Sequence, residues 1–162
     1  MQKRISSHLL DDKKVFVDAS LSKVPAISRL IENLGGKVVG VGAPFVDLDN
    51  RKQLHKLDFL SKGITAVIGN GQYFEKANAL KKGEVDIYVS EFYGSSFAAD
   101  EGATVVSTRN RAVYGFDGVY RLYDSFVKAI RLTNKITDDD NSNYKLSWKS
   151  KSGNWYVKQE VS

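Results

Sequence analysis

Residues 14–42 read KVFVDASLSKVPAISRLIENLGGKVVGVG, and this stretch decides the fold. It begins with a short β-branched run, continues with apolar residues at helical spacing, and closes on a second β-branched run. Pro25 lies near the expected helix start, where its missing N–H costs nothing, and Gly35-Gly36 ends the helix. Two strands joined by one helix predict a βαβ unit, and therefore a parallel sheet.

The same alternation continues along the next hundred residues. We expect β-strands at 14–18, 37–41, 64–68, 85–89 and 103–106. We expect the later helices around 54–60, 72–82 and 97–99, and a last one that begins near Asp117. The fold class predicted from this pattern is α/β.

Beyond Asn134 the sequence changes character. Residues 138–143 read DDDNSN, a polar and acidic stretch without apolar periodicity that is typical of an exposed linker. The tail after it is rich in aromatic residues: Tyr144, Trp148, Trp155 and Tyr156. We therefore expect an α/β domain over 1–134. Over 135–162 we expect a polar linker and an aromatic tail that packs on the domain or on a partner.

The composition excludes several kinds of chemistry. The chain has no cysteine, so it forms no disulfide and offers no thiolate as nucleophile or metal ligand. Its two histidines, His8 and His55, are far apart in sequence and lack the i, i+4 partner of a helical metal site. The net charge of +5 comes from scattered basic residues, which favours a solvated basic face over nucleic-acid binding.

The sequence also has no apolar run near the roughly 20 residues that span a bilayer, and its N-terminus lacks the apolar region of a signal peptide. We therefore expect a cytoplasmic protein without membrane contact.

Ligands of open parallel sheets bind outside the carboxyl ends of the strands, where the strand connections diverge. The loops at these ends supply the candidate cofactor-binding residues, which are Asp18, Ala19, Ser20, Gly69, Asn70, Ser90, Glu91, Arg109 and Arg111. We predict no catalytic residue and no metal ligand among them, because neither histidine falls in one of these loops.

Each of these candidates also has a structural explanation. The run GNG at 69–71 lacks the third glycine of a dinucleotide fingerprint and the Lys-Ser/Thr pair of a phosphate loop, which favours a plain turn. Asp18 could cap a helix, be exposed or hold a metal, and a single carboxylate favours the first two. Arg109 and Arg111 could bind a carboxylate or phosphate through paired donors, or they could form an exposed basic loop.

Three segments resemble the C-terminal domain of the α chain of nitrogenase component 1. The first is the opening βαβ unit, which closes with IENLGGKVVGVG at 31–42. The second is YGFDG at 114–118, ahead of the long last helix, and the third is the aromatic run NYKLSW at 143–148. Together with the order of strands between them, these segments extend the resemblance over about residues 13–150.

The resemblance implies a Rossmann-like, three-layer α/β/α domain with a parallel sheet of four to five strands. With right-handed connections we expect the strand order 2-1-3-4 and a possible fifth strand beside the fourth. The implied function is that of a domain in a nitrogenase-like oxidoreductase component, where it forms one wall of a metallocofactor or substrate pocket. The implied partners are a sister nitrogenase-like subunit and a reductase component. An iron–sulfur or molybdenum–iron type cluster is implied for the full assembly only.

Two departures from the family bear on cofactor binding. The family has a glycine-rich turn carrying an arginine after its first strand, whereas this chain reads DASLS at 18–22. The family's cofactor-ligating histidine follows the last strand, whereas residues 105–110 contain none. We therefore expect no molybdenum-cofactor ligation and no activity from the isolated chain.

Two other hypotheses remain open. One is a stand-alone module that binds a small anion through Arg109, Arg111 and the loop at 69–72. The other is a structural or assembly protein without a ligand.

Overall fold

The computed structural model describes residues 5–45, 63–69, 73–92, 95–109 and 115–138, with side chains described as far as Arg131. Its described strands are β1 (Lys14–Asp18), β2 (Lys37–Ala43), β3 (Thr65–Ile68), β4 (Ile87–Ser90) and β5 (Thr104–Ser107). Its described helices are α1 (Val24–Asn33), α2 (Tyr73–Gly83), α3 (Ser96–Asp100) and α4 (Gly115–Asp138). The predicted α/β class with a five-stranded parallel sheet is confirmed. The helix expected around 54–60 lies outside the described residues.

The strands are ordered β3-β2-β1-β4-β5, and every neighbouring pair is parallel. The predicted order 2-1-3-4 was wrong about the third strand, because β3 pairs with β2 and β4 takes the place beside β1. Burial gives the physical reason. All four residues of β4 are buried, which suits the centre of a sheet, whereas three of the four residues of β3 are exposed, which suits an edge.

The sheet separates two hydrophobic cores, which gives the domain its three layers. On one face, α1 and α4 cover a core that includes Val15, Val17, Ile27, Ile31, Leu122 and Phe126. On the other face, α2 and α3 cover a core that includes Phe16, Leu80, Tyr88 and Ala98. Successive residues of β1 therefore alternate between the two cores, as expected for a central strand covered on both sides.

Local chemistry sets the bounds of α1. Pro25 lies in its first turn, as predicted, and the N-cap residue Lys23 makes no side-chain capping hydrogen bond. After the helix the chain reverses at Gly35, whose φ of +88° is readily adopted by glycine alone. The N–H of Gly36 then donates to the carbonyl of Ile31 at 3.0 Å, and the chain enters β2.

The last helix is longer than predicted. It begins at Gly115, two residues before the expected N-cap Asp117, and continues to Asp138, past the expected domain boundary at Asn134. The assignment of 135–162 to a linker and tail stays a prediction, because residues after 138 lie outside the described ranges. Within those ranges, no helix combines the length and apolarity that crossing a bilayer requires.

Two glycines of β2 make room for side chains of β1. Phe16 pairs with Gly40, and Asp18 pairs with Gly42. A Cβ atom at Gly40 would lie 2.3 Å from the Phe16 ring, and one at Gly42 would lie 2.5 Å from Oδ1 of Asp18. β2 therefore accommodates a buried aromatic ring and, at the end of β1, a buried carboxylate.

We predict that Gly40→Ala destabilises the chain by about 1–3 kcal/mol, because the added methyl group overlaps the buried Phe16 ring. Urea unfolding measures the change. The matched control is Gly83→Ala in the last turn of α2, where the nearest atom to the added Cβ is a valine methyl at 3.2 Å. Equal losses in the two variants would contradict the steric explanation.

Candidate functional site

The strand connections diverge between β1 and β4. The chain leaves β1 toward β2 on one side, while β4 pairs with β1 on the other. Asp18 and Ser90 are register partners at the carboxyl ends of these two strands. Ala19 and Ser20 follow the first strand, and Glu91 follows the second. The structure thus brings five of the nine candidate residues to one place, at the switch point where open α/β sheets bind ligands.

Asp18 has a fully buried carboxylate with two partners. Lys76 Nζ lies 2.8 Å from its Oδ2 and 3.0 Å from its Oδ1, and the Tyr88 hydroxyl donates to Oδ2. Asp18 is 2% exposed and Lys76 is 5% exposed. The expectation that Asp18 caps a helix or is exposed was wrong, because the carboxylate is held beneath α2 by a buried ammonium group.

Tyr88 is the third member of this buried cluster. Burial, followed by the charge of the Asp18 carboxylate and the hydrogen bond to it, raises the pKa of the Tyr88 phenol well above its ordinary value. The hydroxyl therefore stays protonated and remains a donor. The Tyr88 ring packs edge-on against Phe97 at 5.3 Å between centroids and lies 5.7 Å from Phe16.

Glu91 forms a second charged cluster, which spans the switch point. Its Oε2 accepts hydrogen bonds from the N–H and the hydroxyl of Ser20, each at 2.8 Å, and Lys23 Nζ donates to its Oε1. Partial burial works to raise the pKa of Glu91, but the hydrogen bonds from Lys23 and Ser20 and the charge of Lys23 outweigh it and lower the pKa. A charged carboxylate directly after β4 therefore holds the turn between β1 and α1.

Two more candidates serve the local backbone at this place. The N–H of Ala19 donates to the carbonyl of Gly42 at 3.1 Å, which extends the pairing of β1 with β2. The Ser90 hydroxyl oxygen accepts from the N–H of Phe92 at 3.1 Å and donates to its carbonyl at 3.2 Å. Ser90 therefore shapes the turn that carries Glu91.

The remaining candidates follow the outer strands. The N–H of Gly69 donates to the carbonyl of Ala43 at 2.9 Å, so this residue continues the pairing of β3 with β2. Arg109 comes two residues after the end of β5, and its N–H donates to the Ser107 hydroxyl at 3.3 Å. Asn70 and Arg111 lie outside the described residues.

Sequence reasoning missed the two lysines of the site. Lys76 stands three and four residues before Ala79 and Leu80, so it belongs to the buried face of α2. A single lysine in an apolar stripe signals a buried charge that needs a carboxylate, and this signal was available. Lys23 gave no such signal, because its partner Glu91 is 68 residues away in the chain.

The donor set of this edge does not fit a metal cluster by itself. Among the residues that the structure describes, no group of three or more histidine, cysteine, aspartate or glutamate side chains could hold a metal ion. The whole sequence also lacks cysteine, the usual ligand of iron–sulfur clusters.

The strand order and the two cores define a doubly wound, Rossmann-like domain. A solved structure described as "Nitrogenase Cp1 at pH 6.5" shares this fold, with a TM-score of 0.65 and 21% sequence identity. The match covers 83% of this chain and 32% of that chain, so this chain spans about a third of that nitrogenase chain's length. The likeness shows a nitrogenase-like fold. No family model matches the sequence, and no curated protein does either.

We predict that Lys76→Met costs about 3–5 kcal/mol of unfolding free energy, because it leaves the Asp18 carboxylate buried without its counter-charge. Denaturant unfolding gives the value. The matched control is Lys128→Met, which removes an exposed i, i+4 pair with Asp124 and should cost less than about 0.5 kcal/mol. If the two variants lose similar free energies, the buried pair does not have the energetic role assigned to it.

The raised pKa of Tyr88 predicts a loss of stability in alkali. In the unfolded chain this phenol ionises near its ordinary value of about 10, whereas in the folded chain it stays protonated. The contribution of the protonated Tyr88 phenol to the free energy of unfolding is therefore complete below about pH 10, and it is lost as the pH rises above that value. Unfolding free energies measured from pH 8 to pH 11 should fall less steeply for Tyr88→Phe than for the parent. A Tyr88→Phe slope equal to the parent's would refute the prediction.

Proposed function

We propose that this chain is a domain of a nitrogenase-like oxidoreductase component. In this proposal the carboxyl edge of the sheet forms one wall of a metallocofactor or substrate pocket. The observation that carries the proposal is the fold shared with a nitrogenase structure over 83% of this chain. Because the chain spans only 32% of that nitrogenase chain, the other walls of the pocket and the activity belong to the assembly.

The distribution of polar groups supports the choice of edge. The two charged clusters, built on Asp18 and Glu91, both lie at the carboxyl ends of β1 and β4. This is where strand connections diverge and where a pocket forms in sheets of this kind. In the proposal, an iron–sulfur or molybdenum–iron type cluster takes its ligands from the rest of the assembly, and this chain supplies shape and hydrogen bonds.

Exposed apolar side chains near the same edge support contact with a sister subunit. Phe45 follows β2 and is 67% exposed, Ile68 ends β3 and is 39% exposed, and Phe74 lies in the first turn of α2 and is 89% exposed. Exposed apolar side chains that form one patch are typical of interaction surfaces, and in the proposal these three side chains belong to such a patch. A sister subunit that completes the pocket would bury them, and a reductase component is the second expected partner.

The test is to recover the native complex through a tagged form of this chain and to measure its iron and molybdenum. The informative variant is Arg109→Ala with Arg111→Ala, which removes two guanidinium groups after β5. We expect about tenfold weaker association, or about 1.4 kcal/mol, with a matching loss of bound metal. Because Arg109 is half-buried, urea unfolding of the double variant is measured beside association, so that a loss of folding is not mistaken for a loss of binding.

The matched control is Arg29→Ala with Arg121→Ala, which removes two exposed arginines from the outer sides of α1 and α4. This pair should leave the complex and its metal unchanged. If only the control pair disrupts the complex, the functional face lies elsewhere. If the tagged chain recovers neither partner nor metal, the proposed function is wrong.

A second candidate function is a module that binds a small anion. The observation in its favour is the set of donors on Ser20 and Lys23, which already hold a carboxylate. That carboxylate belongs to the chain itself, so an external anion would have to replace it.

A further inference from the structure

In open α/β sheets the ligand crevice lies at the switch point, and in this chain a side chain bridges that point. Glu91 reaches from the end of β4 to Ser20 and Lys23 in the turn before α1. The side chains of Lys23 and Glu91 are 21% and 18% exposed, whereas those of Lys76 and Asp18 are 7% and 3% exposed. Of the two ion pairs at this edge, the one formed by Glu91 is therefore the one that water reaches.

The Glu91 carboxylate is not needed to hold the two strands together. The main-chain N–H of Glu91 donates to the carbonyl of Asp18 at 2.9 Å, which already continues the ladder between β4 and β1. On the other side, the N–H of Thr108, the residue directly after β5, donates to the carbonyl of Ser90 at 2.8 Å. The side-chain bridge is an addition to a sheet that is already paired.

The three donors around Glu91 form a binding position for an anion. They are a main-chain N–H, a hydroxyl and an ammonium group, and all three are directed at one carboxylate. Donors of these kinds bind a free carboxylate or phosphate by the same charge-assisted hydrogen bonds. Their chemistry does not distinguish the Glu91 side chain from an external anion of similar size.

We propose that Glu91 is an internal occupant of this anion-binding position and closes the crevice between β1 and β4. An external carboxylate or phosphate binds there after the Glu91 side chain has moved into solvent. The inference rests on the proposed placement of the functional face at the carboxyl edge, and it describes how access to that face is regulated. No covalent step is involved, since one anion replaces another on the same donors.

The effect of Glu91 on anion affinity depends on the fraction of molecules in which the anion-binding position is open. Apparent affinity falls in proportion to that fraction, so a bridge closed in about nine molecules of ten weakens anion binding about tenfold. Removing the Glu91 carboxylate should raise the apparent affinity for the anion by the same factor.

The test uses inorganic phosphate as the probe and the full 162-residue chain. Phosphate is titrated while the amide signals of Ser20 and Lys23 are followed by NMR. We expect Glu91→Ala to bind phosphate about tenfold more tightly than the parent. The matched control is Glu84→Ala, which makes the same change in net charge but breaks the exposed pair with Lys14 near the amino end of β1.

Two further measurements distinguish occupancy of the anion-binding position by Glu91 from a general effect of net charge on phosphate binding. Adding Lys23→Ala to Glu91→Ala should abolish the gained affinity. Hydrogen exchange of the Ser20 amide should be faster in Glu91→Ala than in the parent, and phosphate should slow it again. If Glu91→Ala does not fold, Glu91→Gln, which keeps the side-chain shape without the charge, takes its place in each comparison and should show a gain of the same sign.

Equal phosphate affinity in Glu91→Ala and Glu84→Ala would overturn the inference. So would a gain that survives the loss of Lys23, or a Ser20 amide that phosphate fails to protect. None of these measurements requires a partner subunit or a metal, so their outcome is independent of whether the complex in the proposed function exists.

Discussion

A carboxylate with 2% exposure at the end of a central strand needs a counter-charge, and Asp18 obtains it from Lys76. This requirement fixes the position of α2, because Lys76 must face the sheet directly above the end of β1. It also requires a donor from the neighbouring strand, which is Tyr88 on β4, and space on the other neighbour, which Gly42 provides. The positions of one helix and two strands are therefore coupled to a single side chain.

The energetics of the Asp18–Lys76 pair do not by themselves explain why it is there. Taking two charges out of water costs several kcal/mol for each ion, and their attraction in the interior recovers that cost only when hydrogen bonding is complete. Here both oxygens of the Asp18 carboxylate accept hydrogen bonds, so the attraction between the two charges roughly offsets the cost of burying them. An apolar pair of similar volume would often be as stable. The charged pair instead sets the position of α2 on the sheet, because no other described lysine of that helix is buried and able to reach Asp18.

The sequence predicted those parts of the fold that depend on local chemistry. Strand β1, the turn at Gly35 and the four described helices follow from periodicity and from glycine and proline, which act within a few residues. The position of β3 in the sheet could not be predicted in the same way. Right-handed connections allow β3 to lie beside either β1 or β2, and the choice depends on which strand tolerates burial on both faces. Burial of Lys76 could have been predicted from its apolar neighbours on α2. Its partner could not, because Asp18 is 58 residues away.

The two ion pairs at the carboxyl edge differ in what it costs to open them. Separating Lys76 from Asp18 leaves a charge in the interior, where the penalty is about 3–5 kcal/mol. The Lys23–Glu91 pair is less buried, with side chains 21% and 18% exposed, so separating it moves the Glu91 carboxylate into water and leaves no unpaired charge in the interior. An exchange of anions at Glu91 therefore leaves intact the pair on which the positions of β1, β4 and α2 depend. In the proposed function this separation matters, because a pocket wall can change its occupant only if the strands that form it do not move.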